Sequence, residues 1–568
     1  MLMPVAHAQS TPPQVSDEGL RRQEERSREQ QRSLQPHADV LRPAPAAAPA
    51  GRLPEESPCF VINDIALAGP EAQRLSWLLA STQPFLGRCV GVKGLQRIAD
   101  VLDATLIDQG LVTSRVSLGQ QNLSGGRLVF QLDAGRVAEV RMVEAGSASG
   151  QNPKRIDDRW GTWINAFPTS AGRLLDTRDI EQGVEQMKRL PSQNVTTTLE
   201  PGPMPNTSIV TIERQTAELK DRIRGGVTLD NSGSASLGRT QLSANVALDN
   251  ALGLNDIASL NVNSNAEYPQ AEHRSQSAAI NYSVPLGYST FSASASHSRF
   301  AQAVQLTTTR TLSSGSSDSA DLRWDHIAWR TASTKTGLYA DLSTRKARSF
   351  IDDVELLVQR RRTTFIETGV SFRQMYAGGS NLDVSVGYRR GMPWLDAQDD
   401  FPAEAGGITL RPHIWTLNTS LNVPFKSPAL GAMAERMWQF NTSVHAQSTH
   451  DRSLSIDQMA IGNRGTVRGF DGDVVLIAES GYTVRNELST PIQWPDVDAS
   501  AYAGVDFGRV WGPSDTNLVG RFLAGAAVGV RGKWRRTQFD LALAAPLHKP
   551  EGFKTAELNP YASMTVAF

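Results

Sequence analysis

Two cysteines and nine histidines are the residues in this chain most able to do covalent, metal or redox chemistry. Cys59 and Cys89 stand 30 positions apart, and two thiols alone are too few for a structural metal site. In a cytosolic protein they would be buried free thiols. In an exported protein they would form a disulfide, whose closed loop contributes about 3–4 kcal/mol in the chain-entropy model. The histidines are scattered, with no HExxH pair, and His445 and His450 lie on an alternating segment that would point them to opposite faces of a strand. No GxxxxGKS/T phosphate loop and no nucleophile elbow occurs. The residue types therefore nominate no catalytic, cofactor-binding or metal-binding residue, and an enzyme is not expected.

The start of the chain favours export. Residues 1–8, MLMPVAHA, read as the remnant of a signal peptide, because Ala6-His7-Ala8 before Gln9 fits a small-x-small cleavage site. On that reading Cys59 and Cys89 are expected to be bonded. With 57 basic and 58 acidic side chains in 568 residues the net charge is −1, which argues against nucleic acid as a partner. No run approaches 18 apolar residues, so a bundle of membrane helices is excluded. A membrane β-barrel is not excluded, since its strands alternate in polarity.

The elements that would position anything functional fall into distinct textures. Residues 9–35 hold a helix-forming stretch, Asp17–Leu34, with five acidic and five arginine side chains and almost no apolar one. A helix polar on every face cannot pack on a core, so it is either a solvated tail or a helix that lives in a water-filled cavity. Residues 36–57 form a Pro/Ala-rich linker. Residues 58–137 read as a small β/α module: a strand at Phe60–Ile65, a helix at Pro70–Leu79, a second helix at Val92–Leu106, then strands near Ser114–Leu118 and Arg127–Leu132. Residues 138–215 repeat the theme, with a strand at Val140–Val143, a helix at Thr177–Leu190, and strands near Val195–Leu199 and Ser208–Ile212.

Residues 216–568 change to strict alternation. Leu242, Ala244, Val246 and Leu248 interleave with Ser243, Asn245 and Ala247, and the pattern recurs at Ala258–Val262, Ala278–Val284 and Leu382–Tyr388. Apolar-out, polar-in alternation over this length predicts a membrane barrel with a wet lumen, and about 22 residues per strand and turn gives roughly 16 antiparallel strands. The chain closes on PYASMTVAF, an alternating strand ending in the aromatic Phe568, as outer-membrane barrels do.

Several short motifs in this order resemble one family, the outer-membrane transporters of two-partner secretion (the TpsB or haemolysin-activator and filamentous-haemagglutinin transporter type, in the Omp85 superfamily). Pro58-Cys59-Phe60-Val61-Ile62 and the run from Gly110-Leu111-Val112-Thr113-Ser114-Arg115 to Gly135 resemble its first POTRA domain. Arg178-Asp179-Ile180-Glu181-Gln182-Gly183, Glu185-Gln186, Arg189-Leu190-Pro191-Ser192 and Pro201-Gly202 resemble its second. Asp230-Asn231-Ser232-Gly233-Ser234 and Leu254-Asn255-Asp256 resemble the first barrel strands. Val467-Arg468-Gly469-Phe470 resembles the tip of a long inward-folded loop, here around 452–478. Arg485-Asn486-Glu487-Leu488 resembles the strand that follows it, and Asp506-x-Gly508 the wall motif that receives the loop's arginine.

The resemblance implies a passive conduit in the outer membrane of a Gram-negative bacterium, with both POTRA modules in the periplasm. It would export a large partner exoprotein (an adhesin, haemolysin or contact-dependent toxin) recognised through its N-terminal secretion domain. An Omp85-type insertase is the alternative, and a barrel enzyme is a distant third. The resemblance further implies that residues 9–35 plug the lumen and that outer-membrane lipid and the barrel-assembly machinery are partners. It makes Arg468 with Asp506 a lock between loop and wall. Gly469 would supply the turn and Phe470 the packing; Gly508 sits in the wall. A water-filled lumen should screen that pair, and a charge swap should be tolerated if the contact is a simple pair. Arg178, Asp179, Glu181, Glu185 and Lys188, on a helix whose Ile180, Val184 and Met187 face its own sheet, are the candidate docking residues, with Glu181, Glu185 and Lys188 partly outward.

Overall fold

From Ile223 onward the alternating segments pair with their sequence neighbours until the last strand meets the first. In a computed structural model, the structure describes Leu41 and residues 53–145, 154–267, 272–305, 310–401, 407–426 and 435–568. The expected signal remnant, the helix at 9–35 and most of the linker lie outside the described residues.

The first module begins with β1 (Phe60–Ile62), β2 (Asp64–Ala68) and β3 (Arg88–Val90), followed by α1 (Val92–Asp108), β4 (Arg115–Leu118) and β5 (Arg127–Asp133). The expected single strand at 60–65 is two, broken at Asn63, where the N–H groups of Asn63 and Asp64 both donate to the Gly126 carbonyl. The expected α-helix at 70–79 is instead a series of turns leading into a 3-10 helix at Ser76–Phe85. The hydroxyls of Ser81 and Thr82 donate to carbonyls three residues back, and Pro84 has no N–H to give, so an α ladder does not form. α1 follows its pattern: Ile98, Leu102 and Leu106 are fully buried against β2 and β5, and Gly110 turns the chain away at φ 87°. β1 and β3 are tied by the Cys59–Cys89 disulfide, which closes a 30-residue separation.

The second module orders its strands β7-β6-β9-β8, from β6 (Arg136–Glu144), β7 (Arg155–Ile156), β8 (Gln193–Pro201) and β9 (Thr207–Thr216), with α2 (Thr177–Lys188) packed on them. Ile180, Val184 and Met187 enter its core with Phe167, Val195 and Ile212. Gly183 is required there, because a Cβ would lie 2.2 Å from the Phe167 ring.

The barrel comprises β10 (Ile223–Asp230), β11 (Gln241–Asp249), β12 (Ile257–Asn265), β13 (His273–Leu286), β14 (Ser289–Gln305), β15 (Arg310–Arg330) and β16 (Thr334–Ile351). It continues through the two-residue β17 (Val354–Glu355), β18 (Arg361–Met375), β19 (Asn381–Met392), β20 (His413–Phe425) and β21 (Trp438–Ser448). A small hairpin, β22 (Met459–Ile461) and β23 (Leu476–Ala478), sits inside the loop before β24 (Ser480–Trp494), β25 (Val497–Trp511), β26 (Phe522–Trp534), β27 (Thr537–His548) and β28 (Asn559–Ala567). Counting β17 with its hairpin, the wall has 16 antiparallel strands. Val227, Leu242, Leu260, Ile280, Leu322, Val370 and Leu541 stand exposed on the outer face, while Asp325, Glu367, Arg389 and Glu487 line a lumen cavity of about 1600 Å³. No helix among the described residues is long and apolar enough to cross a membrane, and the strands do the spanning. At the seam, Val566 faces Val227, and the Phe568 N–H donates to the Gly225 carbonyl. Gly225 has no side chain because a Cβ there would lie 2.6 Å from the Phe568 ring.

Candidate functional site

The segment from Thr449 to Glu479 folds back into the lumen and brings its tip against β24 and β25. Arg468 meets Asp506 through two parallel bonds, Nε to Oδ2 at 2.7 Å and Nη2 to Oδ1 at 2.7 Å, and its own backbone N–H donates to Oδ2 at 3.1 Å. The third guanidinium nitrogen, Nη1, donates to Glu487 Oε2 at 2.7 Å, and Nη2 also reaches the Asn486 carbonyl. One arginine thus holds two carboxylates on adjacent strands in a planar fork that a lysine cannot reproduce.

The pair is buried, contrary to the expected screening: Asp506 is 0% and Arg468 5% exposed. Two glycines in the wall create that closeness. A Cβ at Gly504 would lie 2.2 Å from Arg468 Nη2, and one at Gly525 would lie 1.9 Å from the Arg468 carbonyl oxygen. Gly469 takes φ 108°, and a Cβ there would strike the Ala545 carbonyl at 2.4 Å. Tyr561 Oη accepts from the Gly469 N–H and donates to the Phe470 carbonyl. Phe470 is fully buried and meets Phe553 edge to face in a core completed by Ile461, Val467, Val510 and Leu523. Gly508 lies under Val467 and Ile461.

The opposite side of the loop has its own anchor. Asp457, 4% exposed, accepts from Arg389 Nη2 at 2.7 Å on β19 and lies 3.8 Å from Arg345 on β16. The loop is therefore braced across the lumen, to β24 and β25 at Arg468 and to β16 and β19 at Asp457. Glu487, Asp457, Gly504 and Gly525 were not singled out from the sequence as part of this site. For Glu487 the signal was its place two residues after Arg485 in the Arg-Asn-Glu-Leu motif.

The helix carrying the expected docking residues is seated on the barrel rim. Asp176 caps α2, accepting from the Arg178 N–H at 2.9 Å and pairing with its guanidinium, which also lies over the Trp329 ring. Asp179 accepts from Tyr288 Oη at 2.6 Å in the β13–β14 turn, and burial raises its carboxyl above the usual range against that hydrogen bond. Gln182 and Gln186 donate to the Gly287 carbonyl. Glu185 accepts from Arg330 Nη1 at 2.9 Å and Lys335 Nζ at 2.6 Å, and Glu181 lies 3.6 Å from Arg330. Glu181 is partly outward as expected, with 25% of its side chain exposed, whereas the expectation for Glu185 is corrected: it is turned into the rim, and this polar helix face packs against a second polar surface. Among the described residues, Lys188 alone of the five takes no part in these contacts.

These rim turns lie on the POTRA side, so the long loop enters from the opposite end of the barrel. Residues 206–532 match the family described as haemolysin secretion/activation protein ShlB/FhaC/HecB. An outer membrane transporter called CdiB-2 from Burkholderia pseudomallei is 32% identical over 100% of this chain and 96% of its own length. The chain belongs to the ShlB/FhaC/HecB family. Residues 60–135 match a ShlB-type POTRA domain and residues 142–201 a POTRA domain. The solved structure of CdiB from Escherichia coli superposes with a TM-score of 0.81 at 26% identity, covering 99% of this chain and 100% of that one. The haemolysin transporter protein ShlB of Serratia marcescens is 26% identical over 88% of this chain and 84% of its own length. As a member of this transporter family, the chain is an outer-membrane barrel of two-partner secretion with its POTRA domains in the periplasm.

Proposed function

We propose that the transporter exports one large exoprotein, of the adhesin, haemolysin or contact-dependent toxin class, and captures its unfolded N-terminal secretion domain on the second POTRA module. The observation that carries this reading is the free edge of that module's sheet. β8 is the terminal strand of its sheet, and it begins at the barrel mouth, where Gln193 Nε2 reaches Asn255 Oδ1 at 3.4 Å. An extended chain adding to β8 by main-chain hydrogen bonds would be aimed at the lumen without any demand on its sequence. The docking role read from α2 moves to this strand, with Lys188 the one charge of the original five that could border the arriving chain. A photo-crosslinker at Leu199, exposed on β8, is expected to capture the partner during export. One at Val227, on the lipid-facing wall, is not. Absence of partner crosslinks from Leu199 while the partner is arrested in the pore overturns the proposal.

The driving force would be folding of the partner outside the cell, since the chain holds no nucleotide loop. No catalytic residue or cofactor enters the scheme. Residues 9–35 act as the plug: charge-balanced on all faces, such a helix suits a lumen lined by Arg323, Asp325, Arg373 and Asp383. Deleting 9–35 is expected to raise single-channel conductance in planar bilayers and to sensitise cells to bulky antibiotics, with secretion largely retained. Unchanged conductance places that helix elsewhere. Phe568 serves as the signal read by the barrel-assembly machinery, and outer-membrane lipid surrounds the wall.

A further inference from the structure

The outer face of β14 to β18 carries a charge pattern that transport through the lumen does not use. Cross-strand register aligns outward positions in rows. Ala293, Leu322, Leu342 and Ile366 form one apolar row, and Ala295, Ala320, Thr344 and Thr364 form the next. In the row beyond these, His297 faces Asp318, Asp318 faces Lys346, and Lys346 directly faces Arg362. One row further out, Arg299 and Arg348 flank Ser316 from either side. All four cations lie on the same face as the exposed Phe291, Leu322, Leu338 and Val370, so they point to the membrane exterior.

Their height follows from strand geometry. Arg299 lies ten residues beyond the rim residue Ser289, and Arg348 lies twelve beyond Thr336. At ~3.3 Å per residue and the usual barrel tilt, that is roughly 25–30 Å above the periplasmic rim. An outer-membrane barrel's apolar band is about 25 Å tall, so the cations stand at the phosphate level of the outer leaflet.

The arrangement is costly without an anion. Like charges directly opposite on a sheet repel, and Lys346 faces Arg362. The nearby acids are partly committed: Asp318 bonds His297 at 2.8 Å, and Asp396 lies 3.5 Å from Arg362 at 86% side-chain exposure. Arg299 donates through Nε to Gln276, a neutral partner, at 2.7 Å. Among the described residues, Arg299, Lys346 and Arg348 have no carboxylate in ion-pair contact. Next to the seam, the corresponding outward ends carry Thr240 on the approach to β11, Ser264 on β12 and Pro560 on β28, none of them charged. Single outward arginines stand elsewhere, Arg390 on β19 and Arg509 on β25, but the four-cation cluster lies on β14 to β18.

The geometry points to a binding site for the phosphorylated glycolipid of the outer leaflet, with Arg299, Lys346, Arg348 and Arg362 holding the phosphates of lipid A. Alternating sheet geometry spaces Arg299 and Arg348 about 9–10 Å apart across β15, wide enough for a phosphorylated sugar to lie over Ser316. Guanidinium groups suit phosphate because they donate two parallel hydrogen bonds.

The test uses the full-length transporter extracted from outer membranes and assayed with bisphosphorylated lipid A, monophosphorylated lipid A and phosphatidylglycerol. Wild type is expected to bind bisphosphorylated lipid A about tenfold more tightly than the other two, and more weakly as salt rises. The combined variant R299Q, K346Q, R348Q and R362Q is expected to lose that preference while remaining heat-modifiable. Should the variant not assemble, the comparison among the three lipids with wild-type protein decides alone. Equal binding of all three lipids by wild type overturns the proposal, as does an assembled variant that retains the preference.

Discussion

Arg468→Ala is expected to assemble as a heat-modifiable barrel and to secrete at least about tenfold less partner than wild type. The barrel survives because its stability resides in the closed strand ladder, to which the side chain contributes nothing. The loop does not hold its place. Removing the guanidinium leaves Asp506 fully buried with only Arg485 at 3.6 Å and two backbone N–H groups near it. Breaking a buried pair costs ~3–5 kcal/mol, and even the lower figure shifts a two-state loop equilibrium by about two orders of magnitude. Arg468→Lys keeps the charge but cannot serve Asp506 and Glu487 together, so it restores only part of the activity. The swap Arg468→Asp with Asp506→Arg is expected to fail, because the new aspartate would face Glu487. A two-member lock would tolerate reversal; this three-member one does not. Secretion at the wild-type level by Arg468→Ala, with equal transporter in the membrane, contradicts the account.

Glu185→Ala is expected to free the second POTRA module from the rim. Glu185 is the shared acceptor for Arg330 and Lys335, and Arg330 is 3% exposed. Without it, Arg330 retains Gln182 Oε1 at 2.9 Å and Glu181 at 3.6 Å, and Lys335 loses its 2.6 Å contact to Glu185. A buried cation left in that state costs on the order of 3 kcal/mol, enough to lift α2 rather than unfold the barrel. Amide exchange in residues 177–188 should rise by at least about tenfold while barrel strands stay protected. Glu185→Gln, which keeps an acceptor oxygen but no charge, should fall between. Unchanged protection of α2 in Glu185→Ala would show that the rim contact does not hold the module.

Much of this architecture is legible from local pattern, and what is not legible has a common cause. Period-two alternation gives the barrel and its wet interior, since it depends only on successive side chains pointing to opposite sides. Helical spacing of Ile98, Leu102 and Leu106 gives α1, since residues four apart share one face of a helix. The segment at 70–85 misleads because hydroxyls and Pro84 favour 3-10 turns over an α ladder whose leucine spacing is present. The lock is legible only as a set of short motifs. Glu487 as the third member depends on strand register, and Asp457 with Arg389 joins positions 68 residues apart across the lumen. No local periodicity encodes such pairings. The polar face of α2 is the instructive error: its composition is that of a solvated face, and only tertiary structure brings Arg330 and Lys335 to meet Glu185.

The central claim is that Arg468 and Asp506 act on transport through one shared contact. Partner protein in the culture supernatant, normalised to transporter in the outer membrane, should be measured for Arg468→Ala, Asp506→Ala and the double variant. The account predicts a loss in the double variant well short of the sum of the two single losses, because both substitutions remove the same two-bond side-chain contact and leave the second only the Glu487 pair or one backbone hydrogen bond to break. Wild-type secretion by either single variant, or two losses that simply add in the double variant, would contradict it.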